Sequence, residues 1–228
     1  ILMIHRPPRS TREPYPALIS AEHVARATRA DIVMVPSASA HVTGKMGRAI
    51  AENCMLRGAH VTLVNASVSV EPPMFVDVVN VTSAADMADV VKSKAAEQDI
   101  IIMTAAVADF CPSHPADEKI KKNDSSYESV IELERTEDIL SYLGAHKAKG
   151  QLICGFSMET QNMLENSKAK LAKKNADMIV ANNLKVAGAG FGTDTNVVTL
   201  ITADDCTELE IMDKSCVAAR IIDRLLQM

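Results

Sequence analysis

DIIIMTAAVADFCPSHPADEKIKK, residues 99–122, decides how the rest of the chain is read. It opens on four apolar residues, Ile100, Ile101, Ile102 and Met103, the continuous run expected of a strand buried on both faces. Small residues from Thr104 to Ala108 lead to an acid, Asp109. Pro112 and Pro115 then stop either regular structure, and the stretch closes on Lys119, Ile120, Lys121 and Lys122. Small side chains at the carboxyl end of a buried strand let a ligand approach the backbone closely. An acid and a lysine cluster on the loop beyond suit a metal–polyphosphate, and an open α/β sheet places its ligand crevice at that edge. A lysine cluster is more often a solvated face and an acid after a strand more often a helix cap, so pattern alone leaves both readings open.

Outward from this stretch, strands and helices alternate. Residues 31–35 (DIVMV), 60–64 (HVTLV), 75–81, 151–156 (QLICGF), 178–181 and 197–201 read as further strands, with shorter candidates at 1–4 and 130–133. Between them fall helical patterns. One begins with Ser20 as N-cap, a second is capped by Thr43 with Met46, Ile50 and Cys54 on one face, and a third is capped by Thr82. Residues 137–146 make a fourth, with Glu137 and Asp138 in the first turn where the helix dipole favours acids. A fifth runs from Ser157 to about Asn175 and puts Lys170 and Lys174 on one face. A sixth, residues 213–228, closes the chain with Val217, Ile221 and Leu225 at four-residue spacing. The alternation predicts an α/β, three-layer, Rossmann-like fold with a largely parallel sheet, in a single domain over residues 1–228.

Residues 37–47 (SASAHVTGKMG) are the second informative segment. A strand, a small-residue turn and a helix N-terminus together form a geometry that binds phosphate, because unpaired backbone N–H groups and the helix dipole point at the anion. Thr43 and Gly44 are the candidates there. The segment is not a Walker loop, since Gly44-Lys45 lacks the upstream glycine and the following Ser or Thr. An ordinary capped helix fits equally. Gly188, Gly190 and Gly192 imitate a dinucleotide loop, but the third glycine is misplaced and a strand pattern follows.

Composition narrows the function classes. The 228 residues are 47% hydrophobic and 23% charged, as in ordinary soluble domains. Aromatics are 3% with no Trp, which argues against a stacking platform for single strands. A net charge of −5 likewise argues against a nucleic-acid partner, and no run approaches a membrane-spanning length. Cys54, Cys111, Cys154, Cys206 and Cys216 contain no CxxC pair, so they read as free thiols of a cytoplasmic protein.

Six stretches in order, AAVADFCP, EKIKK, RTEDIL, GFSMET, KLAKKNADMIVANN and GFGTDTN, closely resemble the phosphopantothenoylcysteine synthetases of coenzyme A biosynthesis, over roughly residues 44–228. The resemblance implies joining of 4′-phosphopantothenate to L-cysteine with CTP and Mg²⁺, through an acyl-cytidylate that releases pyrophosphate and then CMP. It implies Asp109 as a nucleotide-contacting acid and Lys119 on the CTP phosphates. Glu137, Asp138, Ile139 and Leu140 would read the cytidine, Phe156 would lie against the base, and Lys170 and Lys174 would make further nucleotide contacts. Ala105 and Ala106 would sit beside the acyl-cytidylate. The family is typically a homodimer, and is commonly joined to a phosphopantothenoylcysteine decarboxylase.

Residues 1–40 depart from the family. His5, Arg6, Pro7 and Pro8 precede Thr11-Arg12-Glu13-Pro14 where glycines are usual, and Ala40 falls where an asparagine is usual. Glu137 stands where the family more often has proline. Residues 30–46 resemble instead a strand turn of the decarboxylase. Two functional classes follow: a cytidylylating ligase centred on Lys119, or a non-catalytic relative that binds nucleotide or coenzyme A precursors or serves a partner subunit.

Overall fold

The computed structural model describes residues 2–3, 32–33, 43–66, 68–114, 130–158, 163–183 and 193–228, the first two pairs as backbone only. Strands β1 (Leu2–Met3) and β2 (Ile32–Val33) come first, then helix α1 (Lys45–Leu56), β3 (Val61–Asn65), β4 (Asp77–Asn80), α2 (Ala84–Ala95) and β5 (Ile100–Met103). Next are β6 (Phe110–Pro112), β7 (Leu133–Arg135), α3 (Ile139–Ala145), β8 (Leu152–Met158), α4 (Met163–Lys173) and β9 (Met178–Asn182). The order ends with β10 (Thr195–Asn196), β11 (Val198–Ile201), β12 (Cys206–Glu208), β13 (Met212–Asp213) and α5 (Lys214–Leu225). One sheet runs β12-β11-β9-β8-β5-β1-β2-β3-β4.

Side chains that alternate along these strands build two cores. Ile100 and Ile102 of β5, Cys154 of β8 and Met178 and Val180 of β9 pack under α1 and α5, against Ile50, Cys54, Val217 and Ile221. Ile101, Met103, Ile153, Ile179 and Ala181 point the other way, against Met87 and Val91 of α2, Leu140 and Leu143 of α3 and Leu171 of α4. A sheet apolar on both faces must be covered on both, hence the three layers.

The sheet is parallel between β2 and β3, β3 and β4, β5 and β8, and β8 and β9, with a helix returning the chain in each case but β3 to β4. It turns antiparallel at β11 and β12, and β1 runs against both β2 and β5. The β11–β12 connection is a tight turn closed by Thr202 N–H donating to the Asp205 carbonyl at 2.9 Å; only antiparallel neighbours can be joined so briefly.

Several expected boundaries move, each for a local reason. Thr43 does not cap α1. Gly44 is the N-cap in a left-handed conformation, φ 78°, and a Cβ there would meet the Val68 Cβ at 2.9 Å. Ser83, not Thr82, caps α2: its hydroxyl accepts from Asp86 N–H while the Asp86 carboxylate accepts from Ser83 N–H, a reciprocal capping box. Ser157 stays in β8, in register with Ala181, and α4 begins later at Met163. The strand expected over 130–133 lies at Leu133–Arg135 and pairs with Phe110–Pro112 in a separate two-stranded ribbon. The candidate helix at Ser20 and the glycines at 188–192 lie outside the described residues. No helix among the described residues is long and apolar enough to cross a membrane.

Candidate functional site

Stretches far apart in sequence converge where β5 and β8 end. Past Met103, the small residues carry the chain outward to Asp109, where the β6–β7 ribbon begins. The ribbon returns at Thr136, whose N–H donates to the Asp109 carbonyl at 3.0 Å and whose hydroxyl donates to the Ala108 carbonyl. That pair of bonds fixes the position of the next residues, Glu137 and Asp138. Asp138 then caps α3 by accepting from Ser141 N–H at 2.9 Å, and the buried Ile139 and Leu140 follow it into the core.

From the other side come Lys170 in α4 and Lys174 directly after its last residue. Lys170 Nζ donates to the Phe156 carbonyl at 3.0 Å. Lys174 Nζ pairs with the Asp138 carboxylate and donates to Ser141 Oγ at 2.9 Å. Its side chain is only 13% exposed.

The result is a cleft of about 190 Å³. Of the residues singled out from sequence, Ala105, Asp109, Glu137, Asp138, Ile139, Leu140, Phe156, Lys170 and Lys174 line it. Ala106 does not. Lys119 lies outside the described residues. Thr43 and Gly44 stand at the start of α1, under the other face of the sheet, and are not among this cleft's lining residues. Phe156 has a double aspect: its side chain packs toward the α1–α5 core while its carbonyl holds Lys170.

The electrostatics follow from these contacts. Burial alone would push the Asp138 carboxyl up, but bonds from Lys174 and from the Ser141 amide outweigh it and hold the group below its ordinary value. Glu137 turns its carboxylate to Lys92 on α2, and that hydrogen bond raises the Lys92 ammonium above its usual value. A floor of apolar side chains, an acid at each end of the ribbon and two anchored ammonium groups can hold a planar base and anionic phosphates together.

Thr136 and Lys92 were not singled out from sequence. Thr136 sits inside the RTEDIL stretch, but its bonds depend on ribbon pairing that no periodicity reveals. Lys92 reads locally as an exposed helix lysine. A second hollow, of about 520 Å³, opens at the N-termini of α1 and α5. There Lys45 pairs with Asp194 at 2.8 Å, and Lys214, 8% exposed, donates to the Thr193 carbonyl at 2.5 Å. Burial lowers the Lys214 ammonium, with the Lys45 charge adding to it.

The family model for the DNA/pantothenate metabolism flavoprotein C-terminal domain matches residues 23–228. The chain belongs to this family. It is 46% identical over 185 residues to the coenzyme A biosynthesis bifunctional protein CoaBC of Bacillus subtilis (strain 168), covering 80% of this chain and 45% of that protein. It is 44% identical over 190 residues to a cysteine/cysteine sulfinic acid decarboxylase of an unknown prokaryotic organism, covering 82% of this chain and 52% of that protein. The chain thus spans about half the length of the curated relatives it matches. The crystal structure of the C-terminal domain of a CoaBC protein superposes with a TM-score of 0.71 at 36% identity, covering 89% of this chain and 97% of that one. The resemblance read from six ordered motifs is borne out, and so is the α/β fold class. In this flavoprotein C-terminal domain the matched residues include the whole of the cleft described above.

Proposed function

We propose that this domain joins 4′-phosphopantothenate to L-cysteine with CTP, as the synthetase of coenzyme A biosynthesis. The observation that carries the reading is the convergence of Asp109, Asp138, Lys170 and Lys174, from three separate motifs, on one cleft at the carboxyl edge of the sheet. Family membership and the identity to CoaBC support the same assignment.

In the first half-reaction a carboxylate oxygen of 4′-phosphopantothenate attacks the α-phosphorus of CTP. The bond to the β-phosphate breaks and pyrophosphate leaves. Lys119 compensates the charge that moves onto the leaving group. Lys170 and Lys174 hold the nucleotide, and the backbone of Glu137, Asp138, Ile139 and Leu140 reads the cytidine. In the second half-reaction the cysteine nitrogen attacks the acyl carbon, the amine loses a proton, and CMP departs. Ala105 leaves room for the acyl-cytidylate to lie against the backbone, where the amine is held against the acyl carbon and water is kept out.

Mg²⁺ would neutralise the nucleotide phosphates. Among the described residues no three His, Cys, Asp or Glu side chains gather to hold a metal. The proposal extends to a homodimer in the cytoplasm, working beside a phosphopantothenoylcysteine decarboxylase. The exposed apolar side chains of Phe110 and Leu133 in the ribbon, with Ile131 just before it, give such a dimer a surface to cover.

The deciding assay is pyrophosphate release from CTP, Mg²⁺ and 4′-phosphopantothenate, with and without L-cysteine. Multiple turnovers that require cysteine establish the synthetase. A single burst indifferent to cysteine means activation without ligation, the outcome that Ala40 in place of asparagine favours. Tight CTP binding with no pyrophosphate would leave a non-catalytic nucleotide-binding relative.

A further inference from the structure

Glu137 poses a problem that the cleft must solve. Its carboxylate stands on the lip of a site read as binding a polyanion. An uncompensated carboxylate there repels phosphate and carboxylate ligands alike. The structure shows where its charge goes. Lys92, in the last turn of α2, pairs with Glu137 Oε2 from outside the cleft, although the two are 45 residues apart. The Lys92 ammonium lies 5.0 Å from the centre of the Tyr142 ring, a cation–π contact that holds it over α3. Tyr142 in turn stacks on His146 with centroids 4.1 Å apart. Asp89, one turn earlier on α2, is the other carboxylate whose charge acts on Lys92.

Lys92 is not among the residues that line the cleft. We infer that Lys92 is a positioning residue for nucleotide binding: it draws the Glu137 carboxylate outward, neutralises it, and so lets this chain carry an acid at the cleft's rim. The inference rests on the nucleotide reading of the cleft above. It assigns a device that the chain needs only because Glu137 is present.

A four-variant cycle tests this: wild type, Lys92→Met, Glu137→Gln and the double variant. CTP with Mg²⁺ is titrated by calorimetry, kcat and KM are taken from pyrophosphate release, and thermal unfolding is recorded for each. Both Lys92→Met and the double variant lose the ion pair, so a merely structural role predicts equal harm from both. A repulsion that Lys92 relieves predicts otherwise. Lys92→Met alone weakens CTP by about threefold to tenfold, since the pair is partly exposed and solvent screens it. The loss falls on Kd and KM rather than kcat and shrinks in high salt. The double variant recovers most of the lost affinity, and Lys92→Arg retains it. A double variant as weak as Lys92→Met, or Lys92→Met binding CTP like wild type, overturns the inference while leaving the function standing. A folded wild type that binds no CTP overturns both.

Discussion

Lys174, near the end of α4, is bonded to the Asp138 carboxylate that caps α3, 36 residues earlier in the chain. One contact thereby ties two helices of the same layer together and sets a wall of the cleft. Asp138 carries a carboxyl held below its ordinary value despite partial burial, because Lys174 and the Ser141 amide favour the charged form. A depressed carboxyl contributes stability that is present above its unfolded value, near 4, and is lost as the pH falls through the folded value. Asp138→Asn keeps a capping oxygen and removes the charge. With Asp138 51% exposed, it should cost about 0.5–1 kcal/mol at pH 7 after solvent screening. Urea titrations of both proteins should show the gap closing below about pH 4.

Gly144 faces the same junction from α3. A Cβ there would stand 1.8 Å from the Lys174 carbonyl oxygen and 2.8 Å from its carbon. Both are backbone atoms, so no rotamer change relieves the clash. The close approach is also bonded, with the Asn175 side-chain amide donating to the Gly144 carbonyl at 2.8 Å. Gly144→Ala must push α3 off α4 and should destabilise by about 3 kcal/mol, the upper range for overpacking. Because Lys174 moves with the junction, CTP affinity should fall as well. Urea unfolding and calorimetry on one preparation check both halves of the expectation.

How far the sequence led depended on what each element buries. β3, β5, β9 and β11 show as apolar runs because both faces are covered, and β5 is buried at every position. β12, with Cys206, Thr207 and Glu208 all exposed, carries no such run and escapes notice. Of the β6–β7 ribbon a strand is expected only near β7, over 130–133, and β6 is unmarked, since the pairing joins residues on either side of a long connection. The start of α4 misled for another reason: Ser157 reads as a helix cap, whereas its hydroxyl is committed to a buried partner in the next helix. The site residues were legible only through ordered motifs. Spacing put Lys170 and Lys174 on one face, but nothing local announced that Asp138 would meet Lys174, or that Glu137 would turn to Lys92.

That buried partner is Ser167, whose Oγ lies 2.8 Å from Ser157 Oγ; the residues are 0% and 3% exposed, respectively. Neither hydroxyl can reach water, so each depends on the other. Ser167→Ala should cost about 1–3 kcal/mol by stranding the Ser157 hydroxyl. Ser157→Ala and Ser167→Ala together should cost clearly less than the sum of the single changes, because the double variant leaves no orphan. Denaturant midpoints of the three variants measure this coupling. Strict additivity would mean that β8 and α4 are joined here by packing alone.

Lys119 separates fold from chemistry. The described core is complete without it: both apolar layers and the cleft's floor are built from other residues. Lys119→Ala should therefore leave thermal unfolding unchanged. If Lys119 stabilises the leaving pyrophosphate, its loss should slow pyrophosphate release by about a hundredfold or more, as removal of one preorganised electrostatic group does elsewhere. CTP binding should weaken far less, because Lys170 and Lys174 remain and an interaction that strengthens in the transition state acts on kcat rather than on ground-state affinity. Stopped-time pyrophosphate assays beside CTP calorimetry divide the cases. Slow release with near-normal binding gives Lys119 the leaving-group role, parallel losses in both make it an ordinary phosphate contact, and unchanged turnover removes it from the site.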